Sequence, residues 1–494
     1  MSGESVSYQE KDAAWFEERR LRRHAGVGSL WALGVGAVIS GDFFGWNFGL
    51  TVGGFGGLLI ATVIATLLYA GLCMSIAELA AALPHAGGAY SFGRTAFGPW
   101  GGFVVGLAAN IEYVLTPAVI VVGIGGYLGA VFETPPAAAP LWWLGAYALF
   151  VGLNVRGVEL TFRVAIATTV LALVVLLFFY ALALPSFSWE MALAVEPDPG
   201  QSRFLPRGGL GVLWALPFAM WFFLAVEELP LAAEEARDPV RDLPRALRWA
   251  LWTLVATAFL MLFANAGLAP GAAEVGASDE PLFLGFRAIF GDATPAKLLA
   301  LIAVSGLIAS FHSIIYAYGR NIYALSRAGY FPHWLSRTNG VHQTPHVALV
   351  VGASIGFVVA LAIEYSDAVF GSVPVGAVLL NMAVFGALVS YLIQAASFLE
   401  LRRRFPELER PYRSRFGRAG AVVALGLSAL TLVFLFLNPE YRAGVWGCAV
   451  WYALGLAYFA LRGRHQLVRS PEEDAAEQVR RGPAPASSPD REAP

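Results

Sequence analysis

The sequence predicts an all-α integral membrane protein with about 12 transmembrane helices. Three observations lead there. Of 494 residues, 57% are hydrophobic and 14% charged, with a mean hydropathy of +0.62; a soluble chain of this length needs a far more polar surface. Apolar runs recur from Ser29 to Leu461, each long enough to cross a hydrocarbon core of ~30 Å at ~1.5 Å per residue. Lipid offers no partners to open backbone groups, so such runs must be helical. The net charge of −2 speaks against nucleic acid as a partner and leaves the lipid bilayer.

The spans fall at 29–50, 53–82, 98–131, 139–156, 162–184, 208–230, 246–269, 296–326, 347–364, 374–399, 419–438 and 443–462. Residues 1–28 are charged (Glu17-Glu18-Arg19-Arg20-Leu21-Arg22-Arg23) and lack a signal-peptide pattern, so the first apolar run is expected to remain as an anchor. Arg20, Arg94, Arg156, Arg237, Arg241, Arg320, Arg337 and Arg402 to Arg404 fall on one side of the spans. Glu133, Glu190, Asp198, Glu274, Asp279, Glu280 and Asp367 fall on the other. This places both termini in the cytoplasm. The tail 463–494 is polar and ends in Pro483-Ala-Pro-Ala-Ser-Ser-Pro, a composition that predicts disorder from about Ser470.

Two spans are not plain helices. The first reads Gly34-Val-Gly36-Ala-Val-Ile-Ser40-Gly41-Asp42-Phe43-Phe44-Gly45-Trp46-Asn47, and the sixth Trp221-Phe-Phe-Leu-Ala-Val-Glu227-Glu228-Leu-Pro230. Both place acids and helix breakers at bilayer depth. They lie five spans apart, so the halves 29–184 and 208–399 have opposite topology, with 419–462 as an added pair. Interrupted helices at matching positions of inverted halves point to a secondary transporter's substrate site. A stripe of Gly41, Gly45, Gly49, Gly53 and Gly57 predicts close packing against another helix. No phosphate loop, nucleophile elbow or Cys-x-x-Cys pair occurs, so neither a cofactor nor an enzymatic reaction is expected. His333, His342 and His346 are interrupted by Pro345, so no metal site is expected there. Cys73 and Cys448 lie inside apolar runs and imply no disulfide framework. The stretch 281–290 looks amphipathic.

At several segments the chain resembles the amino acid–polyamine–organocation permease superfamily. These are Ala77-Glu-Leu-Ala-Ala-Ala-Leu-Pro84-His-Ala-Gly-Gly88-Ala-Tyr90, Ala96-Phe-Gly-Pro99 and Ala233-Glu-Glu-Ala-Arg-Asp-Pro239-Val-Arg-Asp-Leu-Pro244-Arg. Within it, Ile39-Ser-Gly-Asp-Phe-Phe-Gly-Trp-Asn47 and Ala317-Tyr-Gly-Arg-Asn-Ile-Tyr-Ala-Leu-Ser-Arg-Ala-Gly-Tyr330 are similar to the ethanolamine permease branch. The resemblance implies a LeuT-type fold of five plus five inverted spans in a bacterial inner membrane. It implies alternating access around the breaks in spans 1 and 6, a small amine as substrate, and a proton as coupling ion.

The residues that would carry this chemistry follow. Members carrying amino acids usually have a small residue at Asp42, where free N–H groups receive the substrate carboxylate. A carboxylate there costs a like charge ~4 kcal/mol at ~4 Å and an effective dielectric of ~20, and attracts an ammonium comparably. Alternatively, Asp42 caps the second half-helix. Ser40, Gly41 and Phe43 at the first break, with Phe223, Leu224 and Ala225 at the second, complete the expected substrate contacts. Glu227 and Glu228 suit an amine and a symported proton, while Glu227 alternatively bonds backbone freed at the break. Glu112, with Tyr113 beside it, is an acid deep in span 3 with a site or a packing role. Phe43, Tyr113 and Phe223 could add cation–π faces. His312 in span 8 is a candidate proton shuttle or a buried histidine bonded to a neighbouring helix.

Overall fold

The computed structural model describes residues 6–85, 87–278, 280–291, 296–365, 375–437 and 441–481. Asp279, Asp367, the first residue of the tenth predicted span, the last of the eleventh and the proline-rich end of the tail lie outside them.

The chain is almost wholly helical. In order come α1 (Val27–Phe43), α2 (Phe48–Ala82), α3 (Ala89–Phe97), α4 (Pro99–Phe132), α5 (Ala139–Val155), α6 (Val158–Ala183) and α7 (Gly208–Met220). After a 3-10 segment, Val226–Glu235, follow α8 (Pro239–Ala266), α9 (Ala272–Ala277), α10 (Pro281–Phe290), α11 (Ala296–Arg327) and α12 (His346–Glu364). The series ends with α13 (Val375–Arg404), α14 (Gly417–Leu437), α15 (Arg442–Leu461) and α16 (Pro471–Arg481). Among the described residues nine helices are long and apolar enough to span a membrane. The 32-residue α11 and the interrupted α1 and α7 bring the set to the twelve predicted spans.

Sequence explains where the helices stop. In α1 the backbone turns at Ile39, makes one more turn over Ser40–Phe43, and becomes extended at Phe44. Gly45 then takes φ +95°, a left-handed value open to glycine at little cost. The predicted spans 1 and 2 meet inside α2 at Gly54, with φ +67°; the Pro206 ring fills the space a side chain would need. In span 6, α7 ends at Met220, residues 221–225 form turns, and the 3-10 segment begins. Ala225 adopts φ +82°, which costs a residue with a Cβ ~1–2 kcal/mol.

Large apolar side chains face outward on the flanking helices, among them Leu141, Leu144, Leu171, Leu177, Leu437, Trp446 and Leu454. Water would penalise this belt, while lipid accepts it. The polar residues turn inward.

At the arginine-rich end that inward polarity becomes a lattice of ion pairs. Arg402 forks onto Glu78 at 2.8 and 2.6 Å, and the Ser414 amide donates to the same carboxylate at 2.7 Å. Arg320 and Glu235 pair at 2.7 Å, both fully buried, with Tyr316 donating to Glu235 as well. The backbone of His24 and Ala25 donates to the Glu235 carbonyl, which joins the start of α1 to the end of the 3-10 segment.

Over its described residues, 463–481, the tail is structured where composition predicted disorder. Strand β1 (Tyr8–Gln9) pairs in parallel with β2 (Leu467–Val468), and α16 follows with Glu472 and Glu473 buried. Polarity here means pairing, not solvation: Arg94 and Arg327 are buried and need counter-charges, which these two glutamates supply.

Candidate functional site

The two interruptions touch. A Cβ on Gly41 would overlap the Trp221 carbonyl oxygen, and one on Gly45 would overlap the Trp221 ring. Trp46 stacks on Phe222 with centroids 5.5 Å apart and planes 26° apart. Further along, Gly53 lies against the Gly211 carbonyl and Ala215, while Gly57 has ordinary clearance of 3.7 Å. The glycine stripe therefore packs on α7 and its break, most tightly at Gly41.

Three acids meet beyond this contact. Glu112 of α4 faces Glu227, close enough for a shared proton to bridge them, and Glu228 acts on both. Their side chains are 1–3% exposed. No oxygen of the three accepts a well-formed hydrogen bond among the described residues, although the Tyr391 hydroxyl and the backbone amides of Ala225 and Glu227 stand near the Glu227 carboxyl. Neither Glu112 nor Glu228 has an arginine or lysine acting on it. Buried carboxylates without a counter-charge cost several kcal/mol each. The arrangement thus calls for a cation, either a proton or a positively charged guest.

Tyr113 lies beside these acids. Phe223 packs on Tyr69 at 5.2 Å, and the Tyr69 and Tyr391 hydroxyls are 3.0 Å apart. Leu224 is buried, and the Ala225 carbonyl accepts from the Glu228 amide, so the turn that holds Ala225 also aims the acids.

Asp42 stands apart. Its Oδ2 accepts from Thr257 Oγ1 of α8 at 2.9 Å, and Oδ1 has no partner. Tyr180 of α6 lies near it and donates to the Thr257 carbonyl at 3.1 Å. No interaction links Asp42 to the three glutamates. Nor does its side chain cap a helix, since Phe48–Ala82 starts without a side-chain cap. The amides around it are engaged: Ser40 donates to Ser310 Oγ at 2.9 Å, Asp42 to Ile39, Phe44 to Ser40, and Gly45 to Asn47 Oδ1. Phe43 fills the face of α11 at Gly306.

His312 lies outside this region. Its Nε2 meets the Thr161 carbonyl at 2.9 Å and its Nδ1 meets Asn154 at 3.3 Å, so both nitrogens bind α5 and α6 to α11. Among the described residues no group of three or more His, Cys, Asp or Glu is arranged to hold a metal ion. Sequence reasoning missed Tyr69, Tyr391, Thr257 and Tyr180. Each is a polar tip on an apolar helix, a signal too common along this chain to single them out.

The geometry is that of a membrane carrier with a sealed acidic centre, and comparison with known proteins agrees. The amino acid permease family profile matches residues 28–462. An uncharacterised transporter of Rhizobium meliloti (strain 1021) is 29% identical over 92% of this chain and 95% of its own length. The branched-chain amino acid permease BcaP of Bacillus subtilis (strain 168) is 28% identical over 93% and 97%. A methylthioribose transporter of the same organism is 23% identical over 92% and 97%. Interrupted helices in contact, acids at their junction and a match along most of its length together place this chain in the amino acid permease family, as a multi-pass membrane transporter and not an enzyme.

Proposed function

We propose that the protein imports ethanolamine or a closely related small organic amine across a bacterial cytoplasmic membrane, by alternating access and with a proton as coupling ion. In this reading the arginine-rich end is cytoplasmic, as the excess of Arg predicts. The observation that supports the cargo is the buried trio of Glu112, Glu227 and Glu228, with no arginine or lysine acting on Glu112 or Glu228. With three acids in one site, an ammonium offsets one carboxylate while the symported proton neutralises another. Asp42 adds negative charge at the first break. The engaged amides there leave few donors for a substrate carboxylate.

A second reading keeps the fold and exchanges the cargo for an amino acid. The names of relatives such as BcaP favour it. Uptake of radiolabelled ethanolamine into proteoliposomes, with and without a pH gradient and in competition with ethylamine, choline and alanine, separates the two. Ethylamine is expected to compete and alanine to fail; alanine competing as well as ethanolamine removes the amine reading. In the same assay Glu228→Gln is expected to reduce uptake about tenfold, the effect of ~1.4 kcal/mol, and to flatten its pH dependence. Asp42→Asn, which removes charge without volume, is expected to weaken ethanolamine uptake by a similar factor. Unchanged uptake in both variants would take the acids out of the cargo path.

A further inference from the structure

The carboxyl-terminal helix does more than cover polar residues. Glu473 accepts from Arg94 Nε at 2.6 Å, Tyr8 at 2.8 Å, Tyr90 at 2.6 Å and Tyr330 at 3.0 Å. Those four donors come from β1, from α3 and from the residues after α11. Glu472 accepts from Arg327 at the end of α11, and Arg327 also forks onto Glu234 of the 3-10 segment, with one contact at 2.9 Å. One buried arginine therefore joins three parts of the chain: the tail, α11, and the segment whose other end carries Glu227 and Glu228. The backbone reinforces the seam. The Val468 amide donates to the Ala328 carbonyl at 2.9 Å, and Gly329, at φ +85°, leaves no room for a Cβ against Gln466.

We propose that residues 463–481 form a latch that holds the arginine-rich end of the translocation path closed, and that releasing Glu472 and Glu473 permits opening at that end. Alternating access rocks one repeat or bundle of helices against the other around the site. The Glu234–Arg327–Glu472 chain spans that division, and beside the Arg320–Glu235 pair it adds the tail to the ties between the 3-10 segment and α11. Release exposes Arg94 and Arg327 to water, which offsets part of the lost pairing. Closure is thus stable yet reversible. This inference is independent of the cargo, and it holds for an amine or an amino acid alike.

The test uses a thiol already at the site. Cys73 is buried in α2, one turn from Tyr69, whose ring packs on Phe223 of the second break. On a Cys448→Ser background, membrane vesicles are prepared in both orientations. Modification of Cys73 by a membrane-impermeant quaternary-ammonium thiosulfonate is then timed from each side. Glu472→Gln and Glu473→Gln are each expected to speed modification about tenfold from the arginine-rich side and to leave the opposite side unchanged. The control is Glu477→Gln, whose partner Arg481 is largely exposed; it is expected to change neither rate. Equal acceleration from both sides would mean general loosening, and an unchanged rate would mean that the tail holds nothing shut; either result overturns the latch. Should one glutamine variant fail to fold, the other still decides. Amide hydrogen exchange across residues 89–97 gives a second reading, with faster exchange in the variants expected and unchanged exchange counting against the latch.

Discussion

Gly41→Ala is expected to reduce uptake between about five- and a hundredfold or more, the range that ~1–3 kcal/mol of overpacking produces. The added methyl would meet the Trp221 carbonyl oxygen. That atom belongs to the backbone of the second break and cannot rotate away as a side-chain tip would. Either the two interruptions move apart or the helix around Gly41 twists, and both disturb the approach of Asp42 and Phe43 on one side and Phe223 and Ala225 on the other. The matched control is Gly57→Ala, farther along the same stripe in α2, where the nearest atom is 3.7 Å away. It is expected to transport at close to the parental rate. Equal losses in the two variants would show that the stripe acts only as general packing.

The second large effect lies at Arg320. Replacing it with Met leaves Glu235, fully buried, without its cation. Breaking one side of a buried pair costs ~3–5 kcal/mol, and the Tyr316 hydroxyl alone cannot neutralise the remaining charge. Arg320→Met is expected to lower the thermal unfolding midpoint in detergent sharply. Arg320→Met combined with Glu235→Gln is expected to recover a large part of the loss, because the uncompensated charge disappears with it. A double variant as unstable as the single one would mean that Arg320 matters through packing, for its guanidinium also lies 3.8 Å from the Tyr316 ring centre.

Long apolar runs leave a chain in lipid few choices, which is why α2, α4, α6 and α14 lie close to their predicted ranges. The breaks were also legible, because Gly41, Gly45 and Pro230 stand beside acids at a depth where neither is usual. Facing was harder. Asp42 and Glu227 both sit at an interruption, but a one-dimensional pattern does not say that Asp42 turns to Thr257 and Tyr180 while Glu227 turns to Glu112. His312 was ambiguous for a related reason. Its partners Thr161 and Asn154 come from helices about 150 residues earlier, and nothing local reveals them. The tail misled through composition. Glu472 and Glu473 read as solvated charges until Arg94, Arg327 and three tyrosines are seen converging on them from distant segments.

Ala225 gives the second break a bias. Its left-handed backbone is uphill by ~1–2 kcal/mol relative to ordinary helical angles, and the two acids follow within three residues on the same short coil. A single torsional flip there would swing both carboxyls at once, so their loading and unloading need not be separate events. The buried conformation therefore carries that backbone cost at one residue, directly ahead of its acids.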